Sequence, residues 1–204
     1  MSATGRSNDS TYVRHPTDFF PTPDWAIAPV ATAIMGSVLD PCAGNGSILR
    51  YFRDLGHHVY GFDINPNVID VACDDIPIGI RDALGPEPWI IPGRPHWHQY
   101  SSIVTNPPYK LAAEFVERAN SERTRVGCDV WMLLRLGFLG SRSRRELHER
   151  YPADVYVLEK RPSFGLNKRG KRGTDACEYA WFHWGDHTGG RYTILQIDIP
   201  KVKK

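Results

Sequence analysis

Cysteine is scarce in this chain of 204 residues, and no stretch of it stays apolar for long. The four cysteines lie far apart, without a Cys-x-x-Cys pair or histidines at a matching spacing, so neither a zinc site nor a disulfide framework is predicted. His96 and His98 flank Trp97, but no third ligand accompanies them, and we expect no metal. No apolar run approaches the roughly 20 residues that a membrane span needs, so no membrane partner is expected.

The beginning of the chain also lacks the apolar stretch of a signal peptide. Residues 1–16 are mostly small and polar, which predicts a flexible N-terminal tail and a cytoplasmic protein. The remaining length suits one well-buried core better than two, so residues 17–204 are predicted to form a single domain. We expect a monomer or a weak dimer.

The chain lacks the two common signatures of nucleotide phosphate binding. After a predicted strand at 37–40, Gly44 and Gly46 form a turn of small residues, but position 49 is Leu49 instead of a third glycine, and no P-loop lysine follows. Asp63 ends the next predicted strand, where a carboxylate can accept both hydroxyls of a ribose. A ligand with a ribose but no phosphates fits both facts. The other interpretation is a tight turn at the glycines and a helix cap at Asp63.

The periodicity of apolar residues predicts alternating strands and helices, hence an α/β sheet that is largely parallel with an antiparallel end. Gly189 and Gly190 predict a hairpin turn between the last two strands, and the proline-rich stretch 85–95 a surface loop. The predicted strands are 37–40, 59–64, 78–81, 102–105, 130–134, 155–158, 179–184 and 192–199. The predicted helices are 47–55, a segment that starts at Pro66, 111–122 and 141–150.

An unusual tetrapeptide, Asn106-Pro107-Pro108-Tyr109, follows the predicted strand 102–105 directly. The tandem prolines stiffen the backbone and remove two successive N–H donors, which leaves the Asn106 side-chain oxygen and the Pro107 carbonyl oxygen as acceptors. A planar amino group with two hydrogens fits these acceptors, and Tyr109 offers a flat face for a base. The other interpretation is an apolar strand that ends in a proline-stiffened loop.

Charge is unevenly distributed along the chain although the net charge is only +2. Aspartates gather in the first half, whereas arginines and lysines gather around residues 135–150 and 160–172. A cationic second half indicates a polyanionic partner, and ordinary solvated faces are the alternative.

Several of these segments resemble, in order and spacing, the motifs of S-adenosylmethionine-dependent amino-methyltransferases that act on adenine in nucleic acid. They are residues 38–46, 61–66 and 106–109. Residues 19–23 resemble the element that precedes the glycine motif in the subgroup with this motif order. Residues 161–164 and 179–181 are similar to small phage-type and prophage-type DNA adenine methyltransferases. The resemblance covers roughly residues 17–198 and implies a Rossmann-like class I methyltransferase fold in a bacterial or phage protein, its central sheet mostly parallel with an antiparallel C-terminal hairpin.

The resemblance implies S-adenosylmethionine as cofactor, S-adenosylhomocysteine as product, and methylation of the N6 amino group of a flipped-out adenine in DNA. By this analogy Asp40 and the glycine turn contact the methionine moiety, and Asp63 the ribose. Ile64 covers one face of the cofactor adenine, and Asp82 accepts a hydrogen bond from the amino group of that adenine. The other interpretation of Asp82 is an ordinary surface carboxylate. The implied cofactor residues are Phe20, Thr22, Pro23, Asp40, Cys42, Gly44, Gly46, Asp63, Ile64, Asp82 and Asn106, and the catalytic ones are Asn106, Pro107, Pro108 and Tyr109.

Larger DNA methyltransferases carry a separate target-recognition domain, for which this chain has no room. Short loops around 135–145 and 161–176 are therefore the predicted readers of DNA. Phe164 is predicted to stack on the flipped base, with a place in the core as the alternative. The predicted nucleic-acid-binding residues are Phe164, Arg161, Lys168, Arg169, Lys171, Arg172, Arg142 and Arg144.

Other functions fit the same motifs. An RNA adenine or a protein glutamine amide also presents a planar nitrogen to the acceptors of the tetrapeptide. A nucleic-acid-binding module that has lost catalysis is an alternative of a different class, against which the intact glycine turn and tetrapeptide argue.

Overall fold

A single twisted sheet organises the chain. The structure, a computed structural model, describes residues 21–69, 76, 78–91, 93–95, 99–162 and 177–195. The strands in these ranges are β1 Val38–Asp40, β2 Val59–Asp63, β3 Ile78–Ile80, β4 Ser102–Thr105, β5 Asp129–Arg135, β6 Asp154–Leu158, β7 Tyr179–Trp184 and β8 Tyr192–Leu195. They pair in the order β3-β2-β1-β4-β5-β7-β6-β8. The first five strands in this order, β3, β2, β1, β4 and β5, are mutually parallel. β7 runs antiparallel to both β5 and β6, which confirms the predicted fold class.

The predicted hairpin between the last two strands is wrong. β7 has β5 on one side and β6 on the other, so neither of its edges is open to β8. β8 instead lies beside β6 and parallel to it. Asp154 holds the connection in place, because its carboxylate accepts the backbone N–H groups of Gly189 and Arg191 at 3.0 and 2.9 Å and pairs with the Arg191 guanidinium at 2.6 Å. Residues 196–199 of the predicted strand lie outside the described residues.

Helices cover both faces of the sheet. They are α1 Asp24–Ala31, α2 Ser47–Asp54, α3 Ala112–Val126 and α4 Arg145–Arg150 within the described part of the chain. α3 follows a 3-10 turn at Tyr109–Leu111 and ends at Gly127, whose φ of 75° is left-handed. Another 3-10 turn, at Arg142–Arg144, lies in the first half of the predicted helix 141–150. The segment after Pro66 begins as a turn, and residues 70–75 lie outside the described residues.

The core forms two layers because successive strand residues point to opposite faces. Trp131 and Leu133 of β5 pack with α1 and α2, whereas Met132 and Leu134 pack with α3. A sheet covered on both faces is what a parallel arrangement requires. None of the helices in the described ranges has the length and hydropathy that a bilayer span needs.

The direction of the chain through the sheet reverses between β1 and β4. From β1 the chain moves outward to β2 and β3, and it then returns to the other side of β1 to form β4 and β5. The carboxyl ends of these parallel strands share one edge, and ligands of open α/β sheets bind in the crevice at such a reversal. Asp40 ends β1, Asp63 ends β2, and Asn106 follows β4, so the candidate residues meet at this edge.

Candidate active site

The glycine turn brings the start of α2 close to the sheet edge. Gly44 and Gly46 have φ values of 53° and 74°, a left-handed conformation that side chains disfavour, and Gly46 is the residue before the helix. The close packing that a third glycine usually provides comes from the strand instead. A Cβ atom on Gly61 would lie 2.5 Å from Leu49 Cδ1, so glycine in β2 makes room for leucine in α2.

Asp63 joins the glycine turn to the end of β2. Its Oδ2 accepts the N–H of Gly44 at 2.9 Å, and its Oδ1 accepts the N–H of Asn65 at 2.9 Å. Each carboxylate oxygen has two acceptor positions, so the group retains capacity for further donors such as ribose hydroxyls. The backbone contacts fix where those positions point.

Asp40 is a buried carboxylate at the end of β1, with 1% of its surface exposed. Its Oδ1 accepts the N–H of Cys42 at 3.0 Å. Burial raises the pKa of Asp40 to about 7, and the nearby charge of Asp63 acts in the same direction. Near neutral pH this group therefore exchanges between a carboxylate that accepts hydrogen bonds and a carboxylic acid that also donates one.

These residues line what we name the acidic cavity, an open cleft of about 170 Å³ at the sheet edge. Its lining residues include three carboxylates and, among the described residues, no Lys, Arg or His. Two apolar side chains on its wall are unusually open to solvent, Ile64 at 65% and Leu111 at 41%. It is lined by Pro21, Thr22, Asp40, Pro41, Cys42, Ala43, Gly44, Ser47, Ile48, Asp63, Ile64, Asn65, Val68, Asp82, Ala83, Leu84, Asn106, Pro108, Leu111 and Phe115.

The chemistry of this lining suits a neutral or cationic ligand with hydroxyl groups and a flat apolar part. A phosphate would face carboxylates without a compensating cation, which is unfavourable in a partly desolvated site. Exposed apolar side chains gain free energy when a ring covers them. Nucleosides without phosphates, S-adenosylmethionine among them, therefore fit the residues present.

Two residues of the tetrapeptide, Asn106 and Pro108, line the acidic cavity. The Asn106 side chain donates from Nδ2 to Thr22 Oγ1 at 3.1 Å, and its Oδ1 accepts the Tyr109 hydroxyl at 2.8 Å. Pro107 is buried, and Tyr109 begins the 3-10 turn that leads into α3. The amide is thus held at both ends, with its oxygen on the Tyr109 side.

A second cavity, which we name the basic cavity, opens on the other side of Tyr109. Among the described residues, its lining includes three cations and one carboxylate besides the tyrosine hydroxyl. The Arg135 guanidinium lies 5.0 Å from the centre of the Tyr109 ring, and Arg144 donates to the carbonyl oxygens of Phe138 and Gly137 at 2.8 and 3.0 Å. The basic cavity is lined by Tyr109, Lys110, Ala112, Leu134, Arg135, Gly137, Phe138, Arg144, Cys177 and Glu178.

The structure brings most of the predicted site residues together. The predicted residues that line the acidic cavity are Thr22, Asp40, Cys42, Gly44, Asp63, Ile64, Asp82, Asn106 and Pro108. Pro23, Gly46 and Pro107 do not line it; Pro23 and Gly46 immediately precede α1 and α2. Asp82 accepts the N–H of Leu84 at 2.9 Å, so it also stabilises its own loop.

The predicted nucleic-acid contacts are divided. Arg144 lines the basic cavity, and Arg142 is exposed on the neighbouring turn. Arg161 is also exposed, and its Nε forms an ion pair with Glu178 Oε1 at 3.5 Å. The predicted residues that lie outside the described ranges are Phe20, Phe164, Lys168, Arg169, Lys171 and Arg172.

Sequence reasoning overlooked some residues that the fold places at the site. Ser47 Oγ accepts the N–H of Thr22 at 3.2 Å, and Leu111 lines the acidic cavity. Lys110 and Glu178 line the basic cavity. Lys110 directly follows the tetrapeptide, which was a usable signal, whereas Glu178 reaches the cavity only through the pairing of β5 with β7.

No protein-family model matches the chain, and no curated protein is similar to it at a significant level. Solved structures do match. A TehB-like SAM-dependent methyltransferase from Corynebacterium glutamicum has a TM-score of 0.51 and 19% identity over 79% of this chain and 86% of that one. A predicted O-methyltransferase from Agrobacterium tumefaciens has a TM-score of 0.54 and 15% identity over 85% of each chain.

A third match is a precorrin-6y C5,15-methyltransferase from Geobacter metallireducens, with a TM-score of 0.50 and 14% identity over 79% of this chain and 87% of that one. At these identities the likeness concerns the fold. The chain therefore has the Rossmann-like α/β fold of class I methyltransferases, which confirms the fold that its motifs imply.

Proposed function

We propose that this protein transfers a methyl group from S-adenosylmethionine to the exocyclic N6 amino group of adenine in DNA. One observation carries the proposal: the tetrapeptide lies between two cavities of opposite charge. Asn106 and Pro108 line the acidic cavity, and Tyr109 lines the basic cavity. A wall shared by two binding sites is where a group would pass from one ligand to another.

The acidic cavity suits the cofactor. S-adenosylmethionine, when bound, supplies a methyl group on a positively charged sulfur, and a lining of carboxylates without cations favours such a ligand. Asp63 has acceptor positions for two ribose hydroxyls, and Ile64 offers an exposed apolar surface for an adenine ring. The glycine turn provides room for the part of the ligand nearest the backbone.

The basic cavity suits a nucleic acid. Lys110, Arg135 and Arg144 supply three positive charges beside Tyr109, where phosphates would accompany a base. A base that leaves the duplex loses a few kcal/mol of stacking, which contact with the tyrosine ring and the guanidinium above it would offset. In the sequence, arginines and lysines are concentrated in the second half of the chain, which also favours a polyanionic partner.

The residues of the tetrapeptide would activate the acceptor. An adenine amino group is a poor nucleophile because its lone pair is delocalised into the ring. Asn106 Oδ1 and the Pro107 carbonyl oxygen would accept its two hydrogens, which concentrates the lone pair on nitrogen and stabilises the positive charge that develops there. Holding the nitrogen in line and excluding water is the main task of the protein. The surplus proton then leaves to solvent.

Methyl transfer from tritiated S-adenosylmethionine to unmethylated DNA, RNA and protein extracts tests the proposal directly. We expect label in DNA, in adenine after hydrolysis, and none above background with the Asn106→Ala variant. Label confined to RNA or to glutamine residues would move the substrate to one of those classes. Cofactor binding without transfer to any of the three, or no binding at all, would contradict the proposed enzyme.

A further inference from the structure

A side chain far from the tetrapeptide in sequence contacts its catalytic amide. Thr22 Oγ1 accepts the Asn106 Nδ2 hydrogen bond at 3.1 Å across 84 residues. Only 3% of Thr22 is exposed, and the residue also lines the acidic cavity. Building on the proposed function, we propose that Thr22 is a positioning residue, which sets the orientation of the Asn106 amide in response to the ligand of the acidic cavity.

The position of Thr22 is fixed by packed structure. Its backbone N–H donates to Ser47 Oγ, at the first residue of α2, at 3.2 Å. α1 begins two residues later, with Ala26 and Ile27 fully buried. The indole N–H of Trp181 in β7 donates to the Ala26 carbonyl at 2.7 Å, which ties this helix to the sheet. The Thr22 hydroxyl therefore has little freedom to follow Asn106 if the amide rotates.

The orientation of the amide matters because its two ends differ. An amide presents an acceptor oxygen at one end and a donor NH2 group at the other, and only the oxygen can accept an amino hydrogen of a substrate. Two of its contacts are hydroxyl groups, those of Thr22 and Tyr109. Each hydroxyl can either donate or accept, so this pair of contacts alone is compatible with both orientations.

The single proton of the Thr22 hydroxyl favours one of these orientations. If Thr22 donates this proton to an acceptor in the acidic cavity, its oxygen can only accept from Asn106, and the Nδ2 end must face it. Asn106 Oδ1 then faces Tyr109 and the basic cavity. A ligand that brings a hydrogen-bond acceptor to Thr22 thus selects the orientation in which Asn106 is ready for its substrate, and occupation of one cavity prepares the other.

The test removes the hydroxyl without changing the shape of the side chain. Thr22→Val is nearly isosteric, Thr22→Ser restores the hydroxyl, and Thr32→Val makes the same change at an exposed position after α1. The side-chain NH2 signal of Asn106 in ¹⁵N-labelled protein, identified by its loss in Asn106→Asp, reports the amide directly. The probe ligand is S-adenosylhomocysteine.

In the wild type, Thr22→Ser and Thr32→Val we expect S-adenosylhomocysteine to slow hydrogen exchange of this NH2 group about tenfold. In Thr22→Val we expect faster exchange and no response to the ligand. Turnover should fall about 10- to 100-fold in Thr22→Val and return to within several-fold of wild type in Thr22→Ser, while the Kd for the ligand changes less than turnover. If Thr22→Val fails to fold, Thr22→Ala gives the same comparison.

An Asn106 signal in Thr22→Val that matches the wild type with and without ligand would overturn the positioning role. Equal loss of turnover in Thr22→Val and Thr22→Ser would do the same, because a purely structural defect is not rescued by a hydroxyl. A wild-type protein that shows the NMR response but methylates no nucleic acid or protein would instead overturn the proposed function and leave the role of Thr22 intact.

Discussion

The acidic and basic cavities differ in how their polar groups are held. In the acidic cavity, Asp40 and Asp63 stand at the ends of strands and accept backbone N–H groups at 2.9 to 3.0 Å. In the basic cavity, the charges sit on long side chains, with Arg135 over a tyrosine ring and Glu178 more than half exposed. Strand ends give a preorganised site for one ligand, whereas long cationic side chains suit a partner whose phosphates vary in position.

Asn106 lies in the tetrapeptide that connects the two cavities, so its loss should have the largest effect on methyl transfer. We expect Asn106→Ala to lower methyl transfer by roughly 10³-fold, because an acceptor that acts mainly in the transition state disappears. Affinity for S-adenosylmethionine, measured by calorimetry, should stay within several-fold of the wild type. Unchanged turnover would remove the basis for a shared wall between two sites.

The second prediction concerns the pH dependence of the acidic cavity. The pKa of Asp40 in the folded protein, about 7, lies above its ordinary value of 3.8, so the folded state holds a proton that the unfolded state has released. The free energy of unfolding should therefore fall as pH rises from about 4 to about 7, by up to about 1.4 kcal/mol per pH unit from this group.

Asp40→Asn keeps an acceptor for the Cys42 N–H and removes this titration. The difference in unfolding free energy between Asp40→Asn and the wild type, measured with urea, should grow in favour of the variant up to pH 7 and then level off. A difference that stays constant from pH 4 to 8 would mean that Asp40 is not protonated at neutral pH.

The third prediction is that Asp63→Ala, a change in the acidic cavity, affects cofactor binding and not DNA binding. We expect cofactor affinity to fall about 10- to 100-fold, which corresponds to the roughly 1.5–3 kcal/mol of a hydrogen bond to a charged group. DNA affinity in a fluorescence anisotropy titration should change little. Asp54→Ala, at the exposed far end of α2, is the matched control and should leave both affinities unchanged. Equal losses in the two binding assays would argue against separate sites.

Arg135→Gln changes the basic cavity and should affect DNA binding and not cofactor binding, with the smallest expected effect of the four. DNA affinity should fall several-fold, and the slope of log K against log salt should decrease in magnitude by about one, because one phosphate contact is lost. Cofactor affinity should not change. Arg53→Gln removes a partly exposed arginine of α2 and serves as the control. A salt slope that stays the same would place the nucleic acid elsewhere.

Local patterns in the sequence predicted the strands around the site to within a residue or two. Residues 102–105 form a wholly buried strand, and the glycine turn follows β1, because apolar runs and glycines act over short distances. α1 was missed. Pro29 lies within it and removes a helical N–H donor, and no side chain caps its start, so the usual local signals are absent. Burial of Ala26 and Ile27 stabilises this helix instead.

By itself the sequence determined an α/β sheet with a glycine turn, an acidic strand end and the Asn-Pro-Pro-Tyr acceptors, since each is a property of neighbouring residues. Only the tertiary structure decided that β8 pairs with β6, that Thr22 contacts Asn106, and that Glu178 and Tyr109 line the same cavity. These relations join distant parts of the chain, and which edges and hydroxyl groups meet depends on how the whole core packs.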